Sequence, residues 1–337
     1  MLSTQKVTMR KRTLGLALIL IATAAGLSAC GSSSGGSSKS VTLVAYSTPQ
    51  GAFEKLIPAF EATTAGKGIG FTQSYGPSGE QSRSVVNGLH ADVVNFSLEP
   101  DVERLVKAGL VSPSWNQNAT KGMVTDSVAV IIVRKGNPKH IQSWADLVKP
   151  GVQVLTPNPF TSGSARWNVM AAYGAQLKEG KTPAQAQEYL TSLFHNVVSQ
   201  DSSARNALQT FLAGRGDALI DYENEAISDQ KKGAAIEYVI PKQTILIQNP
   251  LAVVGTSESA KKFAEYLLSP AGQAIWVEKG YRPVIPGVPG ASKFPTPPVL
   301  FTIDSLGGWK KVTKEFFEPE TGIVTKIEQS LGVSTSK

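Results

Sequence analysis

The 337-residue sequence holds one cysteine and three histidines. A single cysteine excludes an internal disulfide and any cysteine-based metal cluster. His90, His140 and His195 are far apart and none has ligand spacing, so neither a metal centre nor a cofactor is expected. No Lys/Arg cluster is interleaved with aromatics, which argues against a nucleic-acid partner. The familiar nucleotide motifs are missing too. Ala65-Gly66-Lys67-Gly68 lacks the upstream glycine and following Ser/Thr of a P-loop, and Gly66-Lys67-Gly68-Ile69-Gly70 precedes a strand instead of following one. Gly76-Pro77-Ser78-Gly79 is not a nucleophile elbow, and no general base accompanies any serine by motif. The chain is therefore expected not to be an enzyme, with an envelope serine hydrolase as the remote alternative.

Leu14 to Ala25 is an apolar run preceded by Lys6, Arg10, Lys11 and Arg12, with no acidic residue. It is too short and wrongly flanked to span a membrane, and reads as a secretory signal over residues 1–29. Leu27-Ser28-Ala29-Cys30 resembles a bacterial lipobox, which implies that Cys30 carries the acyl chains and becomes the new N-terminus. Residues 30–40, nearly all Gly and Ser, are expected to form a lipid-anchored tether whose flexible part has a root-mean-square span of roughly 17 Å. Localisation would be the outer face of the cell membrane, held by the lipid alone. Of the 33 basic residues four lie in the signal, so 29 face 26 acidic ones and the net charge is +3, not +7.

Beyond the tether, strands alternate with helices. Val41–Tyr46, Ile69–Ser74, Asp92–Phe96, Val152–Leu155, Ala218–Tyr222 and Ile236–Ile240 read as strands rich in β-branched residues. Helical periodicity is clear in Ala52–Thr63, where Phe53, Leu56, Ile57 and Phe60 share one face. This predicts an α/β fold. Lys121–Arg134 is one long extended run, and Ile245–Val254 is its counterpart. Both are long enough to pass between two lobes, which predicts a clamshell with 41–122 and 253–337 in lobe I and 123–252 in lobe II.

Four strand-to-helix joints carry small donors: Ser47-Thr48, Ser78-Gly79, Ser162-Gly163-Ser164 and Ser202-Ser203-Ala204. Helix starts offer free N–H groups and the positive end of a dipole, so several converging on one cleft could hold a dianion with neutral donors. Burying an anion is prohibitive unless its lone pairs are met. Arg83, Arg166 and Arg205 follow three of the joints and are expected to hold loops behind the ligand, not to touch it.

The residues that fix the resemblance include Gln73-Ser74-Tyr75-Gly76-Pro77-Ser78-Gly79, Val133-Arg134-Lys135-Gly136-Asn137-Pro138-Lys139, Thr156-Pro157-Asn158-Pro159, Ser162-Gly163-Ser164-Ala165-Arg166-Trp167-Asn168, Asp201-Ser202-Ser203-Ala204-Arg205 and Tyr222-Glu223-Asn224-Glu225-Ala226. Through them residues 41–317 resemble the sulfate-binding proteins of bacterial sulfate/thiosulfate ABC importers. The resemblance implies a type II periplasmic-binding-protein clamshell and a monomer. It implies a sulfate or thiosulfate ligand buried without counter-charges and delivered to the membrane subunits of an importer. It also implies ligand donors at Ser47, Ser78, Ser162, Gly163, Ser164, Ala204 and Tyr222. Ser47 stands where the family often has Asp, Ser164 where it has Gly, and Tyr222 where it has Trp. The added hydroxyls can accept as well as donate, which leaves another tetrahedral oxyanion, molybdate or phosphate, as the alternative ligand.

Overall fold

The structure, a computed structural model, describes residues 39–333 and Thr335. The signal segment and Cys30 lie outside the described residues. β1 (Lys39–Tyr46) leads into α1 (Gln50–Glu61), β2 (Ile69–Gly76) into α2 (Ser78–Val86), and β3 (Val93–Asn95) into α3 (Glu99–Lys107). The long β4 (Met123–Arg134) follows, then β5 (Val154–Leu155), α4 (Gly163–Lys178), α5 (Pro183–His195), β6 (Val197–Ser199) and α6 (Ala204–Leu212). Next come β7 (Ala218–Tyr222), α7 (Glu223–Lys231), β8 (Ile236–Val239) and the long β9 (Gln243–Val253). The chain closes with α8 (Glu258–Leu268), α9 (Pro270–Glu278), β10 (Val299–Phe301), α10 (Gly308–Phe316) and α11 (Ile323–Ser330).

The strand order is β2-β1-β3-β9-β4-β7-β5-β6, with β10 beside β9 and β8 beside β4. β1 runs parallel to β2 and β3, and β5 runs parallel to β6 and β7. The two parallel sets are joined only through β4 and β9, which pair antiparallel with each other over Met123–Val128 and Leu246–Pro250. Beyond that stretch they part: Leu251–Val253 of β9 pairs with β3, and Ala129–Val133 of β4 pairs with β7. The two extended runs of the sequence are these crossings, and the molecule is two-lobed around them.

Each lobe has its own core. In the first, the apolar face of α1 meets α8 and α9: Phe53 packs edge-on to Trp276 at 5.2 Å, and Phe60 lies 5.2 Å from Phe263. Phe53, Leu56 and Phe60 are fully buried, and each contributes about 1.5–3 kcal/mol. In the second, α4 is buried from Gly163 to Gln176. It has no polar face because β9, α5 and the C-terminal helices surround it.

The structure departs from the expected outline in places. Lys39 and Ser40, expected in the tether, open β1, because their backbones continue the ladder opposite Ile69 and Gly70. Helix α7 and strands β6 and β10 were not in the sequence reading. The closing helices pack chiefly on α4 and α5, and α10 also touches α3. Trp309, Val312, Phe316, Val324 and Ile327 join the core around α4 and α5, with Trp309 edge-on to Trp167 at 4.6 Å.

Candidate functional site

The end of β7 and the starts of α2 and α4 meet at Ser97, two residues past β3. Its hydroxyl lies 2.8 Å from the Tyr222 hydroxyl, and its carbonyl accepts from Trp167 Nε1 at 2.8 Å and from Asn249 Nδ2 at 2.9 Å. A methyl group added at Gly163 would lie 2.7 Å from Ser97 Cβ and 2.8 Å from its Oγ. Glycine is needed there for this close approach, not for an unusual dihedral. On the other side Arg205 of α6 donates to the Thr48 carbonyl at 2.9 Å. The two lobes are therefore in contact on both flanks of the joints singled out in the sequence.

At α4, Ser162 is the N-cap residue, but its side chain makes no capping bond, and its own N–H is taken by the Asn158 carbonyl at 2.9 Å. What this joint offers is the amides of Gly163, Ser164 and Ala165, the first three of a 16-residue helix, together with the Ser162 and Ser164 hydroxyls. At α6, Ser203 does cap, accepting from the Asn206 amide at 3.2 Å. That leaves the Ala204 amide open at the helix start. At α2, the Ser78 hydroxyl is committed: it donates to Asp101 Oδ2 at 2.6 Å and accepts from the Ser97 amide at 3.0 Å. Only the Ser78 backbone, at the first position of α2, is available. Ser47 directly follows the last residue of β1 and adjoins the buried Thr48.

Tyr222 is fully buried, and burial first, then the neighbouring Tyr46, push its phenol well above the usual range. It stays protonated and can donate. Beneath it, burial and the neighbouring Glu225 push the Asp221 carboxyl well up as well. Asp221 Oδ1 accepts from the Tyr222 amide at 2.8 Å, which fixes the end of β7. The hydroxyls of Tyr46, Thr48 and Tyr281 are buried with no aligned protein partner. These three hydroxyls interact with one another at the end of β1.

The three arginines behave differently from one another. Arg205 makes a two-point ion pair with Glu225 at 3.0 and 3.2 Å and does not enter the donor cluster. Arg166 is buried; its Nε donates to the Pro159 carbonyl at 2.9 Å, and its guanidinium lies over the Phe317 ring at 4.8 Å. Because α2 begins directly after Pro77, Arg83 falls in the last turn, where a cation suits the dipole.

Sequence reasoning missed Ser97, Asp101, Tyr46 and Tyr281. Ser97 carried a usable signal, since it too is a small donor just after a strand. Asp101 and Tyr281 carried none, because their neighbours are distant in sequence.

The chain matches the family described as bacterial extracellular solute-binding protein over residues 41–282, and it belongs to that family. Its architecture is the two-lobed α/β fold of periplasmic binding proteins. More particularly, it is 41% identical to a sulfate-binding protein of Synechococcus elongatus, covering 96% of this chain and 97% of that one. A thiosulfate-binding protein of Pseudomonas aeruginosa is 34% identical, with 81% and 88% covered. Among solved structures, the sulfate-binding protein SubI of Mycobacterium tuberculosis is 44% identical with a TM-score of 0.80, covering 83% of this chain and 100% of that chain.

Proposed function

We propose that this chain is the extracytoplasmic receptor of an ABC importer, binding sulfate and also thiosulfate between its lobes, and that it is not an enzyme. The observation that carries this reading is the convergence of two helix starts, those of α2 and α4, and the Tyr222 hydroxyl on Ser97, with no guanidinium among the donors of the described residues. The proposed contacts are the amides of Ser47, Ser78, Gly163, Ser164 and Ala204 and the hydroxyls of Ser162, Ser164 and Tyr222. Each charge-assisted bond is worth roughly 1.5–3 kcal/mol, so a handful suffices to hold a desolvated dianion. Arg205 acts behind the site by joining α6 to the β1–α1 loop, and the site is complete within one copy of the chain, which favours a monomer.

The lobes are proposed to divide at the crossings, with residues 299–331 assigned to the second lobe because their side chains pack there. Calorimetric titration with sulfate, thiosulfate, phosphate and molybdate tests the ligand class. Sulfate should bind one-to-one; a preference for phosphate or molybdate would move the chain to the alternative, and absence of any oxyanion binding would remove the reading. Acylation of Cys30 is proposed as the only membrane attachment. Cys30→Ala should release the protein from the membrane fraction with sulfate affinity unchanged, and a mutant that stays membrane-bound would contradict the anchor.

A further inference from the structure

Just outside the donor cluster, a narrow crevice separates the lobes. Its first wall is Gly79, Arg83, Asp101 and Arg104; its second is the loop from Pro159 to Gly163 with Arg166 behind it. The crevice shares Ser162 and Gly163 with the proposed anion site, so it leads directly onto the start of α4. Three guanidiniums here face one carboxylate. Arg104 takes that carboxylate, donating to Asp101 Oδ1 at 2.8 Å, and also donates to Ser82 Oγ at 2.7 Å. Among the described residues Arg166 has a carbonyl and a ring as its partners. Arg83, half-buried, makes no ion pair or hydrogen bond through its side chain among the described residues.

The positive charges act on one another. Burial first, then Asp101 in the opposite sense, then Arg104 and Arg83 set the Arg166 guanidinium, whose net shift is down to about 10. The Arg83 guanidinium is lowered by burial and by Arg104, against the pull of Asp101 and Glu80. An arginine held beside two others without a carboxylate of its own is costly unless an anion visits.

We propose that Arg83, Arg104 and Arg166 form an outer station for the tetrahedral dianion at the mouth of the cleft, where it is collected before it passes to the neutral donors inside. This rests on the receptor reading above and adds a division of labour to it. Charge at the rim raises the encounter rate, and neutral donors inside set selectivity. With the lobes apart, Arg83 and Arg104 stand on one lip and Arg166 on the other. A cleft lined by one sign of charge focuses the field and can raise association rates by roughly 10–1,000-fold. The effect is screened at high salt, where the Debye length falls to about 3 Å.

The test is stopped-flow association of sulfate with the whole protein, comparing wild type, Arg83→Gln and Arg83→Lys. Arg83 is the residue to vary because its side chain holds no other group in place. Arg83→Gln should lower the association rate constant by roughly threefold to tenfold at low salt, leave dissociation unchanged, and match wild type near 1 M salt; Arg83→Lys should keep most of the rate. An unchanged association rate in Arg83→Gln would overturn the outer station. So would a faster dissociation with unaltered association, which would make Arg83 a brace for the closed cleft. No sulfate binding by wild type would instead overturn the receptor reading on which the station rests.

Discussion

At the scale of single residues, Tyr222 decides most. Its hydroxyl sits 2.8 Å from that of Ser97, and burial keeps it protonated. Sulfate is fully ionised near neutral pH and only accepts hydrogen bonds. A donor that does not titrate and a ligand that does not titrate predict a sulfate affinity flat between about pH 6 and 9. Tyr222→Phe should cost roughly 1.5–3 kcal/mol, about 10- to 150-fold in Kd. Calorimetry on the pair checks this, and equal affinities would show that the hydroxyl never reaches the ligand. The sequence pattern places Tyr222 at the end of a strand, and only the family resemblance proposes it as a donor. Its partner was not legible, because Ser97 lies 125 positions away and no local pattern joins the two. Ser78 shows the opposite limit. The sequence places it at a strand-to-helix joint, but only the fold reveals that Asp101 takes its hydroxyl.

At the scale of elements, the helix starts matter most. The joints before α1, α2, α4 and α6 were readable because Pro, Gly and Ser punctuate them. Helix α7 was not read, although Glu223 and Glu225 in its first turn are the acidic residues a helix start favours. Its polar run gave no apolar face to detect. β6 and β10 have three residues each, too few for a period of two to register. The element most exposed to test is the first turn of α4. Gly163 is where it approaches Ser97, and a methyl group there would sit inside contact distance of that serine. Gly163→Ala should therefore fold normally, since its φ suits alanine, yet keep the lobes from meeting. A loss of sulfate affinity of at least about tenfold with an unchanged thermal midpoint is expected, by analogy with other losses of near-contact fit. Wild-type affinity in the alanine variant would mean that this approach is not part of the bound state.

At the scale of the whole molecule, two long strands carry the design. β4 and β9 pair with each other in the middle and with different lobes at their ends. Their length made them legible: a run of twelve residues from Met123 to Arg134 is too long for one lobe's strand. The assignment of the C-terminal helices was not legible. The faces of α10 and α11 fit any apolar surface, and the packing of α10 against Trp167 and Tyr173 supports the proposed placement beside α4. With lobes, crossings and donors in place, the central claim is that a tetrahedral dianion lies between the lobes on neutral donors from both. The most direct measurement is a crystal structure with selenate, whose anomalous signal locates the anion. The account predicts one selenate within hydrogen-bond distance of the Gly163, Ser164 and Ala204 amides and the Tyr222 hydroxyl, with no arginine in contact. A selenate bound by Arg205, or selenate found only on the arginines at the mouth with none on the inner donors, would contradict it.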